Sequence, residues 1–311
     1  MIVVNIFLLI LGFVLLIKGA DFFVDGSSSV AKLLKVPSVV IGLTIVAMGT
    51  SAPEAAVSIT AGVSGSNEIA ISNVVGSNIF NMLMVVGVCA LIKPFDLDKT
   101  ILKRDFPINI VCSAIVLGMI IFGSALSRFD GIALLVLMGG YLTFLVVSAL
   151  KNREDSTDDI KSLSPLLSII YIVLGLVAII YGGDLVVDNA TVIAKAMGWS
   201  ETFIGLTIIA IGTSLPELVT SIVASRKGEN SLALGNVVGS NIFNLMFILG
   251  LSSSISSIPV DSRAIANGAL LLVMTVLVYI MCVTRKKVGR VSGALMVSLY
   301  AIYTAYLLYV G

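Results

Sequence analysis

Two glutamates, Glu54 and Glu217, lie inside stretches that are otherwise apolar. Each one ends a nearly identical hexapeptide, Gly49–Glu54 and Gly212–Glu217, and the other acidic residues lie in polar segments or near the ends of apolar ones. A charged side chain deep in an apolar segment is costly and is normally retained for function. Such a carboxylate binds cations or transfers protons, so the pair predicts one of these two chemistries.

A proline precedes each glutamate and predicts a break in the helix that carries it. Pro53 and Pro216 have no N–H to donate to the carbonyl four residues back, at Gly49 and Gly212. Free carbonyls at membrane depth are tolerated where they line a cavity or bind a ligand. Because oxygen is the ligand that hard cations prefer, the break favours a cation site, although a plain helix kink is the alternative interpretation.

Hydroxyl and amide side chains recur at four-residue spacing around both glutamates, which places them on common helix faces. Small residues in the same segments are also compatible with close helix packing alone. The first set contains Thr50, Glu54 and Ser58, followed by Asn73, Ser77 and Asn81. The second set contains Thr213, Glu217 and Ser221, followed by Asn236, Ser240 and Asn244.

The composition is that of a polytopic membrane protein whose main partner is the lipid bilayer. The 311 residues are 58% hydrophobic and 12% charged, with a mean hydropathy of +1.11, whereas soluble domains are about 25% charged. The net charge of +1 and the absence of a basic patch argue against nucleic-acid binding. The chain has no histidine, and its three cysteines lie apart in apolar runs, so neither a disulfide framework nor a zinc site is indicated.

Ten apolar stretches are long enough to cross a membrane. A polar linker at 151–163 divides them into five spans within 1–150 and five within 164–311, and it contains Glu154, Asp155, Asp158 and Asp159. The predicted fold is therefore an all-α integral membrane protein. The predicted spans are approximately 2–24, 38–63, 69–92, 105–124, 129–150, 164–187, 202–225, 231–257, 264–283 and 290–310.

The distribution of basic residues predicts the orientation. With the N-terminus outside, the inner loops hold fifteen Lys and Arg residues and the outer loops hold three. Short cytoplasmic loops carry the positive excess. We therefore expect a cytoplasmic linker at 151–163, both termini outside, and residence in the cell (plasma) membrane.

The two halves of the chain are an internal repeat with an offset of 163 residues. Residues 42–89 and 205–252 share 26 identities in 48 positions, without a gap. An odd number of spans in each half places the second half upside down relative to the first. The sequence thus predicts two inverted five-helix repeats with broken helices 2 and 7, and a substrate site where the halves meet near the membrane midplane.

The paired Gly-Thr-Ser-x-Pro-Glu and Gly-Ser-Asn-Ile-Phe-Asn motifs resemble the two alpha-repeats of the sodium/calcium exchanger family, within the calcium/cation antiporter superfamily. The resemblance covers essentially the whole chain. It implies that Glu54 and Glu217 ligate Ca²⁺ with help from the carbonyls of Thr50 and Thr213. It also implies Na⁺ sites, one near Ala47, Thr50, Ser77 and Glu217 and its mirror near Ala210, Thr213, Ser240 and Glu54. Further family ligand positions match Ser51 and Ser214 and, at the centre, Asn81 and Asn244.

One position departs from many relatives. The resemblance implies Asp at the position of Asn244 in many prokaryotic members and in the potassium-dependent branch. With Asn here, potassium dependence and proton coupling at the centre become less favoured, and the occupant of the central position stays open.

The expected function is exchange of Na⁺ for Ca²⁺ by alternating access, electrogenic according to the resemblance, with no cofactor and no obligate protein partner. The nearest alternative is a Ca²⁺/H⁺ antiporter in which the glutamates carry protons. An intramembrane hydrolase is disfavoured because the chain has no histidine and no Gly-x-Ser-x-Gly motif. A receptor or scaffold would not need two buried carboxylates.

Overall fold

A computed structural model of the chain describes residues 2–65, 67–123, 125–151, 163–285 and 287–310. The predicted polar linker falls almost entirely outside these ranges. Among the charged residues of the predicted inner loops, those that lie outside the described residues are Arg153, Glu154, Asp155, Asp158, Asp159, Lys161 and Lys286.

The described part of the first half is almost entirely helical. Its α-helices are α1 (Ile2–Leu34), α2 (Ser38–Ile41), α3 (Ala47–Thr50), α4 (Ala52–Ser64), α5 (Asn67–Phe80), α6 (Val86–Ile92), α7 (Phe106–Phe122) and α8 (Arg128–Lys151). Three π-helical turns interrupt or precede them, at Gly42–Val46, Asn81–Val85 and Ile101–Asp105.

The second half repeats this order. Its α-helices are α9 (Pro165–Ala196), α10 (Glu201–Ile204), α11 (Ala210–Gly212), α12 (Leu215–Lys227), α13 (Asn230–Phe243), α14 (Leu249–Ile255), α15 (Ser262–Arg285) and α16 (Arg290–Val310). Its π-helical turns, Gly205–Ile209 and Asn244–Ile248, lie 163 residues after the first two of the first half. Such turns often mark functional sites, so their recurrence points to the helices that carry both motifs.

Four two-residue strands join the halves in antiparallel pairs. Strand β1 (Phe95–Asp96) pairs with β4 (Lys287–Val288), with Phe95 opposite Val288. Strand β2 (Ala125–Leu126) pairs with β3 (Ile258–Pro259). Each pair ties a loop of the first half to a loop of the second.

The prediction of an all-α integral membrane protein is confirmed. Among the described residues, eight helices are long and apolar enough to cross a membrane, and the bent pair Ser38–Thr50 and Ala52–Ser64 makes a ninth crossing if it is one span. Apolar side chains such as Phe7, Phe122 and Phe129 are exposed at the surface, where lipid solvates them. The segment predicted as the seventh span is built from the short helices α10 to α12 and is not among these crossings.

The predicted breaks in helices 2 and 7 occur where the prolines place them. Helix α3 ends at Thr50, α4 begins at Ala52, and the axis bends by 52° between them. In the second half α11 ends at Gly212 and α12 begins at Leu215. Each proline lies in the first turn of the downstream helix, where its missing N–H costs nothing.

Helices α1 and α9 extend about ten residues beyond the predicted spans and pack antiparallel against each other. Their contact is a row of small residues: a Cβ on Gly12 would lie 2.9 Å from the Gly182 carbonyl oxygen, and one on Gly19 would lie 2.8 Å from that of Gly175. Small residues allow this close backbone approach in membranes. The charged Asp21 therefore lies within α1 and not at its end.

The two spans that follow the broken helices form the interior of the molecule. In Asn230–Ile255, 94% of the apolar stretch is buried, compared with 17% in α1. Its counterpart Glu68–Ile92 is 72% buried. These interior spans carry the Gly-Ser-Asn-Ile-Phe-Asn motifs and bring both to the centre.

The α1–α9 contact predicts a position-specific effect on stability. Gly19→Val should lower the free energy of unfolding by about 1–3 kcal/mol, because the branched side chain would meet the Gly175 backbone. The matched control is Gly140→Val on α8, where a Cβ has no described atom within 4 Å. Thermal unfolding of the detergent-purified variants measures both, and equal shifts in Tm would contradict the assignment.

Candidate cation site

Both glutamates lie in the first turn of a helix that starts at a break. Glu54 belongs to α4 and Glu217 to α12, and the side chains of both are fully buried. The N-terminus of a helix carries a partial positive charge and unpaired N–H groups, which favour a carboxylate there. The breaks therefore supply both the position and part of the stabilisation of the two acids.

Each carboxylate is held by a serine from the other repeat. The hydroxyl of Ser51 donates to Glu217 Oε1 at 2.8 Å, and the hydroxyl of Ser214 donates to Glu54 Oε1 at 3.0 Å. Ser77 donates a longer bond, 3.5 Å, to the same Glu54 oxygen. These reciprocal bonds bring the two motifs into one site at the interface between the halves.

The second oxygen of each carboxylate is unpaired. No described residue donates a hydrogen bond to Glu54 Oε2 or Glu217 Oε2, although both atoms are buried. None of the ion pairs between described residues involves either glutamate. The carboxylates also interact electrostatically with each other. The protein thus leaves two anionic oxygens without a basic partner.

Two asparagines one span further along fix the backbone of the glutamates. Asn73 donates to the Glu54 carbonyl at 3.2 Å and to Ser58 Oγ at 3.0 Å. At the repeat-related position, Asn236 donates to the Glu217 carbonyl at 3.5 Å, and a further bond of 3.0 Å joins Asn236 Nδ2 to the hydroxyl of Ser221. Ser58 and Ser221, which were predicted to share a face with the glutamates, therefore bond to these asparagines.

Four further asparagines form a cluster where α5 meets α13. Asn78 and Asn241 each donate to the other's backbone carbonyl, at 3.1 and 3.2 Å. Asn81 donates to Asn241 Oδ1 at 3.2 Å, and Asn244 donates to Asn78 Oδ1 at 3.0 Å. The amide oxygens of Asn81 and Asn244 accept no bond from the described residues.

The two halves of the site differ in how tightly they are closed. On one side of the site, where the helices around Thr50 pack against the span that contains Asn236 and Ser240, Thr50 donates to Asn236 Oδ1 at 3.0 Å and Ser240 donates to the Ala47 carbonyl at 3.5 Å. On the repeat-related side of the site, the Thr213 hydroxyl has no partner among the described residues. A cavity of about 670 Å³ lies there instead, and its lining includes Asn73, Ser77, Ala210 and Thr213.

Glycines show the same asymmetry. A Cβ on Gly42 would lie 2.6 Å from the Leu232 carbonyl, and one on Gly239 would lie 2.7 Å from Leu43 Cα. We call this contact, between the helix segments around Gly42 and Gly239, the first seam, and it is closed. At the repeat-related positions Gly205 and Gly76, no described atom comes within 4 Å of a Cβ. The second seam, formed by the repeat-related segments, is therefore open while the first is closed.

The unpaired atoms define what the site attracts. The two carboxylate oxygens and the two amide oxygens are acceptors, and a buried acceptor without a donor is costly. Oxygen atoms without competing donors are the ligands of hard cations. Among the described residues no three or more His, Cys, Asp or Glu side chains are grouped so that they could hold a metal ion, so hydroxyls, amides and carbonyls would complete the coordination shell.

Both halves of the chain match one protein family. The match to "Sodium/calcium exchanger protein" covers residues 4–147 and 167–309, which is most of both halves. The chain belongs to the sodium/calcium exchanger family. This confirms the resemblance inferred from the paired motifs.

Relatives of similar length carry related names. The chain is 39% identical to the "Putative antiporter CaxA" of Alkalimonas amylolytica, over 99% of both chains. It is 34% identical to the "Sodium/calcium exchanger MaX1" of Methanosarcina acetivorans, over the full length of both. A solved structure of the sodium-calcium exchanger NCX_Mj, soaked without Na⁺ and Ca²⁺, superposes with a TM-score of 0.86 at 34% identity, over 99% of this chain and 100% of that one.

The fold brings the predicted site residues of both halves together. Direct hydrogen bonds link eight of the twelve across or within the repeats: Ala47, Thr50, Ser51, Glu54, Ser77, Ser214, Glu217 and Ser240. Thr50, Asn81 and Asn244 bond to neighbouring asparagines, and Ala210 and Thr213 line the cavity beside Ser77.

Sequence reasoning missed Asn78 and Asn241. Both lie in the segment that is identical in the two repeats, so the signal was present. Their contacts depend on how the two interior spans face each other, and spacing alone does not show that.

The two backbone-fixing asparagines should differ in their contribution to stability. Asn236→Ala should cost about 1–3 kcal/mol, because it leaves buried groups of Thr50, Ser221 and Glu217 without their partner. Asn73→Ala should cost less, since Asn73 lines the cavity, where solvent can replace it. Thermal unfolding of the purified variants makes the comparison, and a larger loss for Asn73→Ala would refute it.

Proposed function

We propose that the chain is a secondary active antiporter that exchanges Na⁺ for Ca²⁺ by alternating access, with net charge movement. The observation that carries the proposal is the set of four buried oxygens that accept no bond from the described residues, two from carboxylates and two from amides. Buried acceptors in protein interiors are normally paired, so four unpaired oxygens at the interface of the two repeats favour a bound ligand. Cations of both kinds bind such oxygens.

Charge balance supports exchange. The two glutamates contribute about two negative charges, which one Ca²⁺ neutralises and which two or more Na⁺ also satisfy. Ions of different charge that compete for one set of oxygens are exchanged when the site changes the side to which it opens only while one of them is bound. The names of MaX1 and NCX_Mj support this pair of ions. More than two Na⁺ per Ca²⁺, as the family resemblance implies, makes transport electrogenic.

We assign the coordinating groups by position in the repeats. Glu54 and Glu217 bind Ca²⁺ with the carbonyls of Thr50 and Thr213. The Na⁺ ligands comprise these residues with Ala47, Ser51, Ser77 and Asn81 of the first repeat and Ala210, Ser214, Ser240 and Asn244 of the second. Their assembly around the two carboxylates supports the assignment.

The strand pairs support ten crossings. Paired strands must lie on one side of the membrane, so an even number of spans separates them. Between β1 and β4 the described residues contain five long apolar helices, and between β2 and β3 they contain three. Both counts become even if 201–227, the predicted seventh span, also crosses.

The packing of α1 on α9 supports inverted repeats. Exchange of the halves by the 163-residue offset turns the Gly12–Gly182 contact into the Gly175–Gly19 contact, and both exist. We therefore propose two inverted five-helix units, 1–150 and 164–311, joined by a cytoplasmic linker at 151–163. The charge distribution supports termini on the outside of the plasma membrane.

The single open seam supports alternating access. The cavity reaches from Ser77 and Thr213 to Glu68, Asp261 and Arg263, which belong to the loops predicted outside. The equivalent path to the inner side is closed by the Gly42 and Gly239 contacts. If the outer cavity closed and the Gly42 and Gly239 contacts opened, the site would face the inner side.

A Ca²⁺/H⁺ antiporter is the second candidate. The buried carboxylates have no basic partner among the described residues, and protons as well as Na⁺ would neutralise them. The absence of a carboxyl at Asn244 disfavours it. Calcium uptake driven by a pH gradient in sodium-free proteoliposomes would establish this candidate instead.

The glutamates should be essential for flux. Glu54→Gln and Glu217→Gln should each reduce uptake of ⁴⁵Ca²⁺ driven by an outward Na⁺ gradient in proteoliposomes, by about 100-fold or more. Loss of a partner that merely orients a metal ligand already costs about 10–100-fold. The matched control is Glu229→Gln, outside the site, which should retain uptake. Wild-type flux in either glutamine variant would exclude the proposed site.

The seam glycines should control which side is open. Gly239→Ala should destabilise the closed first seam beside Leu43. Gly76→Ala should be tolerated while the second seam is open, and it should prevent that seam from closing. A cysteine introduced by Ser72→Cys lines the cavity and reports its opening to a membrane-impermeant thiol reagent. The native cysteines are buried and give little background.

We expect Gly239→Ala to slow labelling and Gly76→Ala to accelerate it, with reduced turnover in both. A change in the same direction for both variants would contradict alternation between these two seams.

A further inference from the structure

Asn78 and Asn241 have no place in the ion-binding set assigned above, yet both are fully buried at its centre. Each uses its amide nitrogen on the backbone carbonyl of the other, at 3.1 and 3.2 Å. Each uses its amide oxygen to accept from a site asparagine of the opposite repeat. All hydrogen bonds of this cluster are therefore reciprocal between the halves.

The backbone carbonyls determine the orientation of every amide in the cluster. A carbonyl only accepts, so the group that Asn78 points at the Asn241 carbonyl must be its NH₂. The oxygen of Asn78 then faces Asn244, and Asn244 must answer with its own NH₂ at 3.0 Å. Asn241 fixes the orientation of Asn81 in the same way, because its NH₂ group donates to the Asn78 carbonyl and its oxygen accepts from Asn81.

This orientation leaves the oxygens of Asn81 and Asn244 on the side away from the cluster. Neither oxygen accepts a bond from the described residues. Asn81 lies one helical turn after Ser77, which bonds Glu54, and Asn244 lies one turn after Ser240. Residues four apart share a helix face, so the free amide oxygens lie on the face that carries the site.

We propose that Asn78 and Asn241 are positioning residues that make the central pair, Asn81 and Asn244, present oxygen and never nitrogen to the transported cation. An amide is ambiguous, because rotation by 180° exchanges an acceptor for a donor. The cluster removes that ambiguity. The proposal rests on the proposed cation transport and assigns the centre as a neutral, non-titrating cation subsite.

The pairing is crossed, and this makes the role testable. Asn78 orients Asn244, and Asn241 orients Asn81. In Asn78→Ala the Asn244 nitrogen loses its buried acceptor, so the amide is free to turn its N–H groups toward the remaining acceptors. A carboxyl at that position offers an oxygen in either orientation. Asn244→Asp should therefore make the site insensitive to loss of Asn78.

The experiment compares Asn78→Ala in three backgrounds: otherwise wild type, Asn244→Asp and Asn81→Asp. Calorimetry on detergent-purified protein measures Ca²⁺ affinity and its competition by Na⁺. We expect Asn78→Ala to weaken binding by about 10–100-fold in the wild-type and Asn81→Asp backgrounds. In the Asn244→Asp background we expect a change of less than about threefold relative to Asn244→Asp alone.

The mirror set gives an independent reading if Asn78→Ala does not fold. Asn241→Ala should be rescued by Asn81→Asp and not by Asn244→Asp. Equal losses in both aspartate backgrounds would overturn the proposal and leave the cluster with a packing role only. Failure of the wild-type protein to bind Ca²⁺ would instead refute the proposed function, so the two failures are distinguishable.

Discussion

The structure depends on the burial of two carboxylates that have no basic partner among the described residues. Glu54 and Glu217 are fully buried at helix breaks, and each is only half satisfied: a serine of the opposite repeat bonds one oxygen, and the other accepts no bond from the described residues. A buried charge without a partner is far more costly than a paired one. The helix N-termini offset part of that cost, and in the proposed exchanger a bound cation would offset the rest.

Reciprocal hydrogen bonds between the halves position one oxygen of each acid and the central asparagines. Ser51 serves Glu217 and Ser214 serves Glu54, while the asparagine cluster crosses the interface in the same way. Neither half therefore holds a complete site. A relative movement of the halves changes both carboxylates at once, which couples the chemistry of the site to the packing of whole helices.

Composition and motif spacing predicted the membrane fold, the broken helices and the paired acids, because proline and charge act locally on a helix. They did not predict the full lengths of α1 and α9, since Asp21 interrupts the apolar pattern although the glycine contacts continue past it. The π-helical turns leave no compositional mark. The role of Asn78 required the geometry of two facing spans, even though its identity in both repeats was visible.

The difference between the halves cannot be encoded in motifs that are nearly identical, and it supports the proposal that one site is used from two sides of the membrane. Thr50 and Thr213 occupy equivalent positions, yet one is bonded in a closed seam and the other faces the cavity. In the proposed exchanger, two unneutralised charges oppose closure, because taking them out of water is expensive. One Ca²⁺ or several Na⁺ remove that penalty. Either load thus permits the seams to exchange, whereas the empty site does not, and uncoupled leakage is suppressed by the same carboxylates that bind the ions.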